Sequence, residues 1–235
     1  MSEFWTGLLA SPLFWITATL ATFALGEWLH RKAKHSPLVN PVLISIVLIG
    51  VMLPLTGTDY DTYFDGAQFI HFLLGPATVA LALPLYLHRD LIRRALIPMA
   101  VALTVGSTFS AVSGLLIAKW MGVDLVSTLS LVPKSATSPV AMPVAEIIGG
   151  SATLTAVFVI LVGIVGAMLG PPLLSALGMT DPQSRGFSLG TIAGGIGTAK
   201  ALQENEAAGA FASIGMGLGA LLTALITPVV VALLL

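Results

Sequence analysis

The chain contains no cysteine, so it holds neither disulfides nor a thiolate metal site. Charge is scarce: 10 Lys and Arg and 11 Asp and Glu among 235 residues leave a net charge of −1 at pH 7. No basic stripe with interleaved aromatics occurs, which excludes nucleic acid as an expected partner. The four histidines sit in or beside loops, no two carboxylates share an intramembrane face, and no nucleophile elbow is read from the chain. It is therefore expected not to be an enzyme, with no resident metal and no cofactor. No polar stretch is long enough for a soluble domain, and residues 1–235 are expected to form a single membrane domain.

What is present is apolar. Hydrophobic residues make up 56% of the chain and mean hydropathy is +0.98, the composition of an integral membrane protein. Runs rich in Gly and Pro, with no alternating polar pattern, favour an all-α polytopic membrane helical bundle over a β-barrel, because each helix satisfies its own backbone in lipid. Hydropathy predicts spans near 12–29, 38–53, 67–87, 95–118, 151–177 and 208–234, with two weaker, more polar segments at 133–150 and 186–203. The first run is too long for a signal-peptide core and lacks a small-residue cleavage pattern, so it is read as a retained helix. Arg31, Lys32, Lys34, Arg89, Arg93 and Arg94 lie in two loops, while the loop between them carries Asp59, Asp61 and Asp65. The positive-inside rule places the basic loops in the cytoplasm and the acidic loop outside.

Two short apolar stretches open alike: Asn40-Pro41-Val42 leads to Gly50, and Ser138-Pro139-Val140 leads to Gly149-Gly150. Each has about 12 apolar residues, roughly 18 Å of helix against about 30 Å of hydrocarbon, too short to span alone. Paired short, Gly/Pro-interrupted segments mark the midplane site of a carrier built from a repeat. The expected architecture is accordingly an inverted repeat with halves of about 38–119 and 133–234 and with broken or re-entrant helices. Gly75-Pro76-Ala77-Thr78 and Gly195-Ile196-Gly197-Thr198 form a second match, although its spacing differs by about one helix.

The candidate chemistry lies in the two polar segments. In Lys134-Ser135-Ala136-Thr137-Ser138-Pro139, a Ser-Pro helix start inside the membrane aims free N–H groups and the positive dipole end at an anion, with Lys134 adding a full charge. In Gly194-Gly195-Ile196-Gly197-Thr198-Ala199-Lys200, the glycines let backbone approach a ligand or break a helix, Thr198 offers a hydroxyl, and Lys200 is an intramembrane cation that is costly unless paired or useful. Lys134, Ser135, Thr137, Ser138, Gly195, Gly197, Thr198 and Lys200 are thus the candidate substrate-binding residues, joined by Asn40 as cap of the first short helix. Glu146, two turns past Ser138 on roughly the same face, is the candidate for pairing with a lysine or carrying a coupling proton. The coupling ion, H+ or Na+, is left open. The small-residue stretch Gly215 to Gly219 packs helices within a protomer or across a homodimer.

Four stretches carry a resemblance over nearly the full length: Phe72 to Tyr86, Pro133 to Met142, Gly195 to Ala201, and Gly209-Ala210-Phe211. With them the chain resembles the LrgB/CidB family, which takes in YohK-like proteins and the carboxy-terminal part of the plastid glycolate/glycerate translocator. The resemblance implies two functions of different class. One is secondary transport of small monocarboxylates of the glycolate, glycerate or pyruvate class across the bacterial inner (plasma) membrane. The alternative is a holin/antiholin-like effector controlling murein hydrolase activity and lysis, beside a small LrgA/CidA-type membrane partner. Two departures from the family pattern stand out, Gly194 where a histidine is common and Pro143 where a glutamate is common.

Overall fold

A computed structural model describes residues 7, 9, 11–34, 36, 39–80, 83, 86 and 89–235. The described residues hold helices and no strand, and the chain divides into two units, Met1–Ala77 and Thr78–Leu235.

The first unit contains α1 (Pro12–Lys32), α2 (Pro41–Thr56) and α3 (Tyr60–Phe72), with α4 (Leu74–Ala80) at its boundary. α2 has 16 residues, about 24 Å of helix, still short of a bilayer core. Asn40 caps it as the sequence predicts, its side-chain oxygen accepting from the amides of Val42 and Leu43. α1 meets α2 where a Cβ on Gly26 would fall 2.8 Å from the Pro41 carbonyl, and meets α3 through Trp15, whose ring packs edge-on against Tyr63. The predicted span 67–87 is not one helix. Asp59 caps α3 through the Thr62 amide, which starts it at Tyr60, and the helix ends before Leu73. Beyond Ala80 most of that span lies outside the described residues.

The second unit comprises α5 (Arg89–Arg94), α6 (Leu96–Trp120), α7 (Leu125–Leu131), α8 (Ser138–Ile147), α9 (Ala152–Ala176), α10 (Pro182–Glu204) and α11 (Glu206–Leu234). α6, α9 and α11 are long and apolar enough to cross a membrane. α6 and α11 run parallel: Leu103 and Met99 pack with Ile214, while Ala111 and Leu115 pack with Val230 further along both helices. α9 runs the other way. Leu96, Ala176 and Glu206 therefore mark one end of the unit, end B, and Trp120, Ala152 and Leu234 mark the other, end A.

α10 does not pass through. At Gly194 the backbone takes φ 53° and ψ −134°, a conformation open to glycine and strained for any L side chain. The chain reverses there. A Cβ on Gly197 would collide with the Leu189 carbonyl, eight residues earlier, and Arg185 lies within 3.2 Å of Glu204, with the two residues nearly symmetric about Gly194. In a straight helix residues eight apart are about 12 Å apart along the axis. α10 is thus a helical hairpin, entered and left from end B, with arms 182–193 and 195–204. The predicted break in segment 186–203 is present, and it is a reversal.

α7 and α8 form the opposite hairpin. α7 enters from end A beside α6, placing Lys134 against Ser110 and Gly114. α8 returns toward end A, where Gly150 and Ser151 meet Ser130 and Ile148 joins Leu115 and Val132. Helix plus hairpin occurs twice in opposite orientation, over 96–147 and 152–204. The same local device builds both: a left-handed glycine ends the long helix, Gly122 or Gly178 with φ 72° in each case, and an aspartate, Asp124 or Asp181, then caps the hairpin by accepting from a serine amide three residues on. Of the expected halves, 38–119 spans both units and 133–234 lies in the second; the inverted relation visible within one unit is this shorter one.

Candidate functional site

The two hairpin tips meet. A Cβ on Gly194 would lie 3.8 Å from Cα and 4.0 Å from Cβ of Thr137, so the turn of α10 touches the residue that precedes α8. The meeting point lies midway along α9, where Gly163 and Gly166 pack on Ala193 and Ile196. Gly163 is about 16 Å from the start of α9 and about 20 Å from its end, at 1.5 Å per residue.

On the α8 side, Lys134 Nζ donates to the Ser110 carbonyl at 2.7 Å, and the Ser110 and Ser135 hydroxyls are 2.6 Å apart. No carboxylate pairs with this ammonium among the described residues. A Cβ on Gly114 would fall 2.5 Å from Nζ, so glycine there makes room for the charge. α8 starts one residue off the expected cap. Ser138 is its first residue, Thr137 is the N-cap and makes no side-chain cap bond, and Pro139 follows in the first turn. The expected Ser138 hydroxyl cap is therefore corrected. The Thr137 carbonyl takes the amides of Val140 and Ala141, and among the described residues the Thr137 and Ser138 hydroxyls make no hydrogen bond, Thr137 lying against Gly194.

On the α10 side, Thr198 donates to the Gly194 carbonyl at 2.9 Å and so fixes the turn after the break. Gly195 is exposed with no atom within 4 Å of a Cβ, whereas Gly197 is pressed on Leu189. The first borders open space and the second is there for packing. Lys200 is half-buried without a hydrogen bond or ion pair among the described residues. It lies six residues past Gly194, about 9 Å along the second arm. The tips bring Thr137 to Gly194, with Lys134, Ser135 and Ser138 next to the first along the chain and Gly195 and Thr198 next to the second, and Lys200 stands further out. Glu146 is exposed toward end A, with no lysine paired to it. Asn40 belongs to the first unit, and its carboxamide oxygen is spent on the α2 cap.

Sequence reasoning missed several partners. Ser110 holds both Lys134 and Ser135, and the stripe Ser107, Ser110, Ser113 at helical spacing was its signal. Arg185 also went unread. Its guanidinium reaches Glu204, the Ser175 hydroxyl at 3.0 Å and the Met179 carbonyl at 3.1 Å, tying the base of the α10 hairpin to the end of α9. Gly186-Phe187-Ser188-Leu189-Gly190 does match the Gly-x-Ser-x-Gly string. It lies inside a helix arm with no strand before it, and Ser188 donates to the Ser184 carbonyl, so no nucleophile elbow is formed. Among the described residues no group of three His, Cys, Asp or Glu could hold a metal ion.

Comparison with known proteins agrees with this membrane architecture. The chain matches the LrgB-like family over residues 19–233. It is 34% identical to "Antiholin-like protein LrgB" of Bacillus subtilis (strain 168), covering 95% of this chain and 96% of that one. It is 33% identical to "Holin-like protein CidB" of Staphylococcus epidermidis, covering 93% and 95%, and 38% identical to "Uncharacterized protein YxaC" of Bacillus subtilis (strain 168), covering 92% and 94%. No solved structure matches it significantly. The chain is a helical membrane protein and belongs to the LrgB-like family.

Proposed function

We propose two linked readings, one for the cell and one for the molecule. The relatives' names, antiholin-like and holin-like, favour a membrane effector that controls murein hydrolase activity and lysis. The geometry favours a carrier of small monocarboxylates, of the glycolate, glycerate or pyruvate class, as the means by which such an effector acts in a bacterial inner membrane, as a multi-pass protein. A homodimer and a small LrgA/CidA-type partner belong to the same proposal.

The observation that carries the carrier reading is the contact of Gly194 with Thr137 between two half-length hairpins of opposite entry. An open pore needs a continuous polar lumen. Here backbone closes on backbone at mid-depth, beside an ammonium with no carboxylate partner and a helix start with free hydroxyls. That set suits a single small carboxylate: the ammonium supplies the charge, and the Ser138 amide with the Thr137 and Ser138 hydroxyls supplies hydrogen bonds. Moving one hairpin against the other exposes the site to one side at a time.

Uptake of radiolabelled glycolate into proteoliposomes tests the proposal. Saturable, substrate-selective flux supports it. Non-saturating passage of unrelated solutes supports a holin-type pore and contradicts the carrier.

A further inference from the structure

One buried oxygen in the second unit has no partner. Thr227, in α11, is 0% exposed, and its hydroxyl makes no hydrogen bond, whereas Thr191 and Thr198 in α10 each donate to the carbonyl one turn back. Helical periodicity puts Thr227 on one face with Ala220, Thr223 and Val230. That face covers the α7–α8 hairpin: Ala220 packs with Ala136, and Val230 with Val132. Thr227 lies between those two contacts and so is directed at the turn 132–136.

The turn holds further unpartnered oxygens. Its amides at Val132, Lys134 and Ala136 donate to Leu129, Leu131 and Pro133, but no hydrogen bond reaches the carbonyls of Val132, Lys134, Ser135 or Ala136. Val132 and Ala136 are 1% and 2% exposed. α6 adds the buried hydroxyl-bearing Ser107, between Leu103, which packs with Ile214, and Ala111, which packs with Val230. Carbonyls that accept no hydrogen bond among the described residues, two of them on the buried Val132 and Ala136 and set on the turn that the face of Thr227 covers, have the ligand chemistry of a hard cation. Because every one of these oxygens is neutral, a monovalent ion suits them better than a divalent one.

We infer that the turn 132–136, with Thr227 and its neighbour Thr223, forms a Na+ site beside the hairpin tips. The inference deepens the carrier reading and rests on it, because it names the ion that would accompany the anion. Among the described residues the charge nearest this position is the ammonium of Lys134 from the hairpin itself; on α10, Arg185 and Glu204 pair at the hairpin base and Lys200 lies about 9 Å along the second arm. Lys119 lies nine residues beyond Ser110 on α6, Glu146 eight residues past Ser138 on α8, and Glu206 twenty-one residues before Thr227 on α11, while α9 carries no charged residue. A like charge so close weakens Na+ binding in the empty protein. A carboxylate seated at the tips offsets both positive charges, so each ligand strengthens the other, reciprocally.

Binding of 22Na+ to the purified full chain, with and without glycolate, tests this directly. Saturable binding tightened by glycolate about tenfold is expected, within the usual range of coupling between sites. Thr227→Val keeps the shape, removes the unpaired hydroxyl and is expected to weaken Na+ about tenfold, with Thr227→Ser restoring it. Glycolate binding without saturable 22Na+ binding, or full Na+ affinity in Thr227→Val, overturns the cation site and leaves the carrier standing. Saturable Na+ binding lost in Thr227→Val, with no glycolate binding, overturns the carrier and leaves the cation site.

Discussion

Gly190→Ala probes whether the α10 hairpin lies backbone to backbone on α11. A Cβ at Gly190 would collide with the Ala212 carbonyl oxygen and sit 2.6 and 2.7 Å from its carbonyl carbon and Cα. No flexible side chain is available to yield, so the two helices must part. Overpacking by one carbon costs about 1–3 kcal/mol, and a backbone neighbour puts this case at about 3 kcal/mol. For a domain of this size that corresponds to a fall in Tm of roughly 6–12 °C. Gly195→Ala is the matched control: it meets nothing within 4 Å and gains about 0.5–1 kcal/mol in helix propensity. Thermal stability of both variants in detergent, followed by the monodisperse fraction on size-exclusion chromatography, gives the comparison. Equal stability of Gly190→Ala and Gly195→Ala would refute the close approach of the 182–193 arm to α11.

Lys134→Met is expected to lower glycolate affinity by about three orders of magnitude, since an ion pair near 4 Å is worth about 4 kcal/mol at an effective dielectric of 20. Lys200→Met, about 9 Å from the tip, should lower it less, by about twentyfold at the same dielectric; the reverse order in a binding assay would move the site outward along α10. A double-mutant cycle of Arg185→Met and Glu204→Gln should give a coupling of about 1 kcal/mol in thermal unfolding, because the pair is partly exposed, at 15% and 25%. Zero coupling would remove it as the clasp of the hairpin base. Asp181 is held below its usual carboxylate range by the hydroxyl and amide of Ser184, and Asp124 by the amide and hydroxyl of Ser127. Their capping contribution is therefore present above the unfolded value of about 3.8 and is lost as pH falls through the lowered folded values. The stability gap between the native chain and Asp181→Ala should shrink below pH 4, and a gap that widens in acid would contradict that assignment.

Much of the second unit was legible because its punctuation is chemical. Ser138-Pro139 announces a helix start, three glycines in four residues announce a break, and the apolar runs of α6, α9 and α11 announce full-length helices. Lys134 was legible as a cation in an apolar neighbourhood. The reversal at Gly194 was not, because a straight break and a hairpin share the same residues; the difference lies in one backbone conformation and in the packing of Gly197 on Leu189. The Arg185–Glu204 pairing is legible only once that reversal is known. α3 was misjudged because its start depends on a cap at Asp59 in a stretch too polar and aromatic to register by hydropathy. Ser110 escaped notice because its role is to hold another residue's charge.

The meeting of the tips can be read by a single cross-link. The chain has no cysteine, so Thr137→Cys with Gly195→Cys, which leaves the Gly194 turn intact, introduces the only two thiols beside the point of contact. A short bifunctional maleimide added to membranes should join both thiols within one chain and leave neither for mass labelling. Two thiols that stay unjoined and label fully would place the tips apart and contradict the account.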